Sequence, residues 1–145
     1  MTPVYQTRHG SPDGNCMAAC VATILDKRIE DVDVDVASCG NSVNALLRKI
    51  EGRTDCKMYR FSQAAIVDRD VKSTERYCIV SVCSSLFRND PSHPNSTWHS
   101  VVCEIAEDGT LSLVFNPDRR DQRTRSLDQF AALGDVFVVQ RRAES

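Results

Sequence analysis

The chain has 145 residues, of which 41% are hydrophobic and 26% charged, and its 18 basic residues nearly balance its 20 acidic ones. This length fits one domain over residues 1–145, because domains commonly hold about 100–150 residues. The balanced charge gives no indication of nucleic acid or a membrane as partner. No basic start precedes an apolar run at the N-terminus, and no stretch approaches the ~20 apolar residues of a membrane span, so we expect a cytoplasmic protein.

The chain contains seven cysteines. This count is odd, and the spacings do not match those of small scaffolds held by disulfides. We therefore expect most of the thiols to be free and buried, in a reducing compartment. The tight pairs that bind zinc, Cys-x2-Cys and His-x3-His, do not occur, so neither a metal nor another cofactor is predicted.

The first predicted element is a helix over residues 15–25. Residues 17–25 are almost wholly apolar, which predicts a helix enclosed by the rest of the fold. The preceding residues 13–16, Asp-Gly-Asn-Cys, have turn chemistry, and Asp13 or Asn15 can cap the helix.

Cys16 lies in the first turn of this helix. There the positive end of the helix dipole and the unpaired backbone N–H groups favour a thiolate over a thiol. Cys16 is therefore predisposed to be a nucleophile. Cys20, one turn later, is expected to serve packing rather than redox chemistry.

The remaining elements are predicted from changes in the period of the apolar residues. Residues 26–37 predict a short helical turn, and residues 41–50 an amphipathic helix with Gly52 as its stop signal. The other predicted elements are strands over residues 56–61, 77–83, 98–105, 110–115 and 136–140, and short helices around residues 64–67 and 126–133. Helices followed by a meander of strands predict an α+β fold with an antiparallel sheet.

An Asp-Gly pair at residues 108–109 separates two of these strands, and Asp-Gly between strands is a strong hairpin signal. If the pair forms the centre of the turn, Glu107 pairs with Thr110. That register places His99 opposite Asp118 and diagonal to Asn116, on one face of the sheet.

This placement allows an imidazole to meet a side-chain oxygen, since facing and diagonal positions lie about 5–8 Å apart at the backbone. A hydrogen bond to one nitrogen of His99 fixes the tautomer and leaves the other nitrogen to take a proton from a thiol. Asn116 and Asp118 are the two candidates for the oxygen.

The residues Gln6, Cys16, His99 and Asn116 stand in the chain order of papain-like cysteine peptidases. The chain resembles this superfamily, and within it the small peptidase domains of bacteria and phages that process double-glycine leaders of bacteriocins. The matching segments are Asp-Gly-Asn-Cys-Met-Ala-Ala-Cys, His-Ser-Val-Val and Phe-Asn-Pro, at residues 13–20, 99–102 and 115–117.

The resemblance implies a papain-like fold whose central N-terminal helix carries the cysteine and packs on the sheet. It implies Cys16 as nucleophile, His99 as general base and then acid, Asn116 as the residue that orients His99, and Gln6 as an oxyanion donor. Two features depart from the family. The leader-processing relatives commonly have Asp before the proline where this chain has Asn116, and the spacing from Gln6 to Cys16 is longer than usual.

The implied activity is that of a thiol hydrolase that cleaves a peptide, isopeptide or related acyl bond in a peptide or protein substrate. Two other functions fit the same residues. One is a catalytically idle binding or inhibitory module, and the other is an acyl transferase or deamidase that uses the same Cys16 and His99. The sequence predicts no oligomeric state.

Overall fold

The structure, a computed structural model, describes residues 1–8, 14–40, 42–62, 76–83, 98–119, 122, 125–130 and 132–141. Within these ranges the elements are the helices α1 (Cys16–Leu25), α2 (Ile29–Val32) and α3 (Val43–Arg53), and the strands β1 (Cys56–Phe61), β2 (Tyr77–Cys83), β3 (Trp98–Ile105), β4 (Leu111–Phe115) and β5 (Ala132–Arg141). Two short 3-10 helices cover Ala37–Cys39 and Leu127–Gln129. The predicted α+β class is confirmed.

The five strands form one antiparallel sheet in the order β1-β5-β2-β3-β4. The last strand of the chain therefore lies between β1 and β2. Its apolar run suits this central place, because its side chains are buried on both faces of the sheet. Phe137 and Val139 pack with the helices, whereas Val136 and Val138 pack in a second cluster.

The helix α1 is enclosed by the sheet and the other helices, as its composition predicted. It packs mainly against β3 and also contacts β2 and α2. Its buried residues are Met17, Ala18, Ala19, Cys20, Val21, Ala22, Thr23 and Leu25. Because nearly every face of α1 is covered, its N-terminal end is held in one place relative to β3.

The turn between β3 and β4 differs from the prediction. Ala106, not Glu107, is the partner of Thr110, since the Ala106 N–H donates to the Thr110 oxygen over 2.9 Å. The loop thus contains three residues rather than two. Gly109 closes it at a φ of 87°, a left-handed conformation that glycine adopts without strain and that three-residue hairpin loops require.

A bulge in β4 then restores the predicted register. Cys103 pairs with Leu113, but its neighbour Val102 pairs with Phe115, so β4 carries one extra residue, Val114. The extra loop residue displaces the pairing by one position, and the bulged residue moves it back. Beyond the bulge, Val102 therefore pairs with Phe115, which is the pairing that a two-residue turn had predicted.

Two predicted helix ends were wrong. The helix α3 does not stop before Gly52 but continues to Arg53, and the Thr54 hydroxyl then donates to the Ile50 carbonyl over 2.9 Å. This bond satisfies a carbonyl of the last turn without a left-handed glycine.

The helix predicted over residues 126–133 is only the 3-10 helix Leu127–Gln129, and β5 starts at Ala132. Leu133 belongs to the strand because it pairs with Val82 of β2. Pairing in the sheet outweighs the local helical pattern. The helix predicted around residues 64–67 lies outside the described residues. Across the described ranges, no helix has the length and apolar character needed to cross a membrane.

Candidate active site

The N-terminal end of α1 is held by Asn15, but not through a capping bond. The Asn15 side chain makes no hydrogen bond to the first turn. Its oxygen accepts from the backbone N–H groups of Thr7 and Arg8, each over 3.0 Å, and its nitrogen donates to the Thr7 hydroxyl over 2.8 Å. The predicted cap by Asn15 is therefore wrong, and Asp13 lies outside the described residues. The Asn15 side chain therefore accepts no hydrogen bond from the N–H groups of the first turn of α1.

A second contact fixes the segment that Asn15 holds. The Arg8 guanidinium donates two hydrogen bonds of 2.7 Å to the Asp33 carboxylate and contacts Asp35 at 3.3 Å. Hydrogen bonds from Arg8 hold the pKa of Asp33 below its usual range, despite partial burial of the carboxylate. A bidentate pair restricts orientation as well as distance. The N-terminal segment is thus anchored beside the start of α1.

Gln6 belongs to this anchored segment and is buried, with 7% of its surface exposed. Its backbone N–H donates to the Pro117 oxygen over 3.0 Å. Its side-chain nitrogen donates to the Arg8 carbonyl over 3.0 Å, and that carbonyl also accepts from the Asn15 N–H at 3.3 Å. The carboxamide therefore lies beside the residue that precedes Cys16. Its nitrogen carries a second N–H group, which remains for another acceptor.

His99 is bonded to Asn116. The distance from His99 Nε2 to Asn116 Oδ1 is 2.7 Å, and the same oxygen accepts from the Asp118 backbone N–H at 3.0 Å. An oxygen that accepts both bonds requires a proton on Nε2. The other nitrogen, Nδ1, is then the one that can accept a proton from a thiol.

Asp118, the alternative partner, lies near His99 without replacing Asn116. Its backbone supports the Asn116 side chain, and its negative charge acts on His99. The Gln122 side chain also holds this segment, because its nitrogen donates to the carbonyls of Asn116 at 3.2 Å and Asp118 at 2.5 Å. Gln122 was not predicted, since it lies in a polar stretch with no periodicity or motif.

Cys16 and His99 lie close enough to alter each other's pKa. Burial raises the pKa of the Cys16 thiol, but hydrogen bonds from His99 and Ser100 and the charge of His99 hold that pKa below its ordinary value. Burial lowers the pKa of His99, but the hydrogen bond with Cys16 and the charge of its sulfur raise that pKa above its ordinary value. The Asn116 bond and the Asp118 charge act in the same direction. The two shifts together favour a thiolate beside an imidazolium.

The structure thus brings together Gln6, Cys16, His99, Asn116 and Asp118, which are distant in sequence. Cys16 remains partly exposed, whereas the other four are buried. All seven cysteines are free, as predicted. In the part of the chain that the structure describes, no group of three or more His, Cys, Asp or Glu side chains is arranged to hold a metal ion.

No family model, curated protein or solved structure matches this chain. The resemblance to papain-like peptidases therefore depends on the residues named above.

Proposed function

We propose that the chain is a papain-like cysteine hydrolase that cleaves a peptide, isopeptide or related acyl bond in a peptide or protein substrate. The main support is the position of His99, which bonds to Asn116 through Nε2 at 2.7 Å and lies near enough to Cys16 to lower the pKa of its thiol. The proposed setting is the cytoplasm of a bacterium, including one infected by a phage.

In the proposed reaction the Cys16 thiolate attacks the carbonyl carbon of the substrate. The C–N bond then breaks as His99 gives its proton to the leaving amine, which leaves an acyl thioester on the sulfur. His99 next takes a proton from water as the water oxygen attacks the thioester. The C–S bond breaks, the electron pair returns to sulfur, and the acid is released. Asn116 keeps the imidazole in the required tautomer throughout.

The developing oxyanion requires donors near Cys16. The first-turn N–H groups of α1 point toward the N-terminal end of the helix, where negative charge is stabilised. The second N–H of the Gln6 carboxamide is the proposed additional donor. Loss of one such donor typically costs ~3–4 kcal/mol of transition-state stabilisation.

A second candidate is an idle binding or inhibitory module with the same groups. The bond from the Gln6 side chain to the Arg8 carbonyl favours it, because that bond occupies one N–H of the proposed oxyanion donor. An acyl transferase or deamidase would share the acylation step with the hydrolase and differ in the substrate attacked or in the acceptor of the acyl group.

Hydrolysis of p-nitrophenyl acetate tests the proposal, because this ester acylates thiolates and releases a coloured product. We expect a burst followed by steady turnover in the wild type. Cys16→Ala and His99→Ala should abolish both phases, whereas Cys39→Ala, which removes another partly exposed thiol, should change neither.

The remaining outcomes separate the three functions. A burst without turnover would contradict hydrolysis and favour the idle module. Turnover that appears only when hydroxylamine or glycinamide is added would favour a transferase. A burst that persists in Cys16→Ala would refute the assigned nucleophile.

A further inference from the structure

The carboxamide of Gln6 is held by very little. Its oxygen is buried and, across the residues that the structure describes, has no hydrogen-bond partner. Its nitrogen donates to the Arg8 carbonyl over 3.0 Å. The orientation of the carboxamide therefore depends on this bond, because the buried oxygen adds no second one. Whatever fixes the Arg8 carbonyl also fixes the proposed oxyanion donor.

The Arg8 carbonyl joins the two segments that form the site. Besides the Gln6 nitrogen, it accepts from the backbone N–H of Asn15 at 3.3 Å. Asn15 directly precedes Cys16 at the start of α1. The carboxamide and the helix start thus share one acceptor. A displacement of this carbonyl would move the carboxamide relative to Cys16.

The Asp33 carboxylate bonds to both residues that meet at this carbonyl. Its Oδ1 accepts from Arg8 Nη2 at 2.7 Å and from the nitrogen of the Asn15 side chain at 3.1 Å. Its Oδ2 accepts from Arg8 Nη1 at 2.7 Å. Asp33 is itself held, because its backbone carbonyl accepts from Arg53 of α3 over 2.9 Å. Asp33 therefore ties residues 8 and 15 to each other and to α3.

We propose that Asp33 is a positioning residue of this site, which acts through Arg8 and Asn15 to hold the Gln6 carboxamide where its second N–H meets the oxyanion. This inference rests on the proposed hydrolase and on Gln6 as its oxyanion donor. Such a donor helps only when it is held close to the place where charge develops. The three bonds that Asp33 accepts supply this restraint, and Asp33 transfers no proton.

The role predicts a difference between two reactions of Cys16. Acylation by p-nitrophenyl acetate passes through an oxyanion, so its rate depends on the Gln6 donor. In alkylation by iodoacetamide, the sulfur attacks a methylene carbon and iodide leaves, so no oxyanion forms. A change at Asp33 should therefore slow acylation and spare alkylation.

Asp35 provides a matched control for the loss of charge. Its carboxylate contacts the same Nη2 of Arg8 at 3.3 Å, but the Asn15 side chain donates to Asp33 rather than to Asp35. Asp33→Asn keeps the size of the side chain and replaces one acceptor oxygen by an NH2 group, which cannot accept. Asp35→Asn removes the same charge and leaves the three bonds to Asp33 in place.

The experiment measures the burst rate with p-nitrophenyl acetate and the alkylation rate of Cys16. In Asp33→Asn the burst should be ~10-fold slower, less than the ~10²–10³-fold that follows complete loss of a donor. The alkylation rates of Asp33→Asn and Asp35→Asn should agree within ~2-fold, and Asp35→Asn should keep the wild-type burst within the same factor. If Asp33→Asn does not fold, as judged by circular dichroism, Arg8→Lys replaces it, because lysine cannot form the bidentate pair.

A double-mutant cycle shows whether the effect passes through the carboxamide. In a Gln6→Ala background, Asp33→Asn should slow the burst by less than ~2-fold, because the donor that Asp33 positions is already absent. A ~10-fold slowing that persists in this background would overturn the proposal, and so would alkylation that slows as much as the burst.

The same measurements separate this proposal from the proposed function. A wild type that shows no burst refutes the proposed hydrolase and the role of Asp33 together. A wild-type burst without coupling between Asp33 and Gln6 refutes only the role of Asp33. Because the burst reports acylation, the cycle decides the role of Asp33 even where turnover is absent.

Discussion

Two groups of cysteines in this protein differ in what surrounds the sulfur. Cys16 is held at the N-terminal end of α1, and hydrogen bonds hold its pKa below the ordinary value. Cys78 and Cys103 face each other on β2 and β3. Burial raises the pKa of Cys78 to about 12, and burial with the charge of Cys78 raises that of Cys103 further. Burial therefore suppresses a thiolate unless hydrogen-bond donors accompany it.

The neighbours explain the difference. Around Cys78 and Cys103 the cluster consists of apolar side chains such as Val80, Val101 and Val138, which cannot donate a hydrogen bond. Around Cys16 lie an imidazole, a hydroxyl and the positive end of a helix. The two environments are only a few residues apart along β3, because His99 and Cys103 lie on the same face of the strand but at different positions along it.

The largest expected effect is the difference in labelling of the two groups. A thiol with a pKa of about 12 is only about 10⁻⁵ thiolate at pH 7, so Cys16 should react with iodoacetamide at least ~10³-fold faster than Cys78 in the native protein. Timed pulses with peptide mapping measure both rates. In urea the rates should become similar, which serves as the control. Similar native rates would contradict the difference between the two environments.

Removal of His99 should make Cys16 behave more like the core thiols. His99 lowers the pKa of Cys16, so His99→Ala raises it, and the thiolate fraction falls at acidic and neutral pH. We expect alkylation of Cys16 at pH 6 to slow by ~10–100-fold. Above the raised pKa the rate should recover, which distinguishes a change in ionisation from misfolding. An unchanged pH profile would show that His99 does not act on the sulfur.

Serine substitutions should lower the free energy of unfolding by different amounts in the two environments. Cys103→Ser places a hydroxyl among apolar side chains and should lower the free energy of unfolding by about 1–3 kcal/mol. In Cys16→Ser the hydroxyl meets His99 and Ser100, and the change should stay within about 0.5 kcal/mol. Urea unfolding of both variants measures this. Equal destabilisation would mean that the surroundings of Cys16 are not polar.

The contact between Asn116 and His99 can be broken without touching the sulfur. Asn116→Ala leaves the Nε2–H of a buried imidazole without its acceptor, at a cost of about 1–3 kcal/mol. Steady hydrolysis of p-nitrophenyl acetate should slow by ~10-fold, much less than in Cys16→Ala. A loss as complete as that of the nucleophile would contradict a purely orienting role.

Asp118→Asn should have the smallest effect. The negative charge of Asp118 raises the pKa of His99, so its removal lowers that pKa. Because His99 must be protonated to release an amine, the alkaline limb of hydrolysis of an amide substrate should move to lower pH. The rate on that limb should fall by ~2–3-fold, and the rate at neutral pH should hardly change. A fall larger than that of Asn116→Ala would identify Asp118 as the orienting residue.

Much of the candidate site was predictable from local patterns. The apolar run of α1 placed Cys16 at a helix start, and the hairpin placed His99 near Asn116. The hairpin prediction succeeded although its turn was wrong, because the bulge at Val114 compensates for the extra residue of the loop. A bulge of this kind depends on packing at the sheet edge and leaves no clear signal in the chain.

Other parts of the site were not predictable. Asn15 has the composition of a cap but bonds to Thr7 and Arg8 instead, because the N-terminal segment lies beside it in the folded protein. Gln122 donates to the carbonyls of Asn116 and Asp118, although it lies in a polar stretch with no motif. Local propensity describes neighbours in the chain and carries no information about which segments meet.

The sequence by itself determined α1 and α3, the five strands, the antiparallel hairpin and the preference of Cys16 for ionisation at a helix N-terminus. These depend on periodicity, turn chemistry and the helix dipole, which act over a few residues. Only the tertiary structure decided that β5 enters the sheet between β1 and β2, that β4 bulges, and that Asn15 bonds to Thr7 and Arg8. Those features arise from packing between segments far apart in the chain, where burial of apolar surface outweighs local preference.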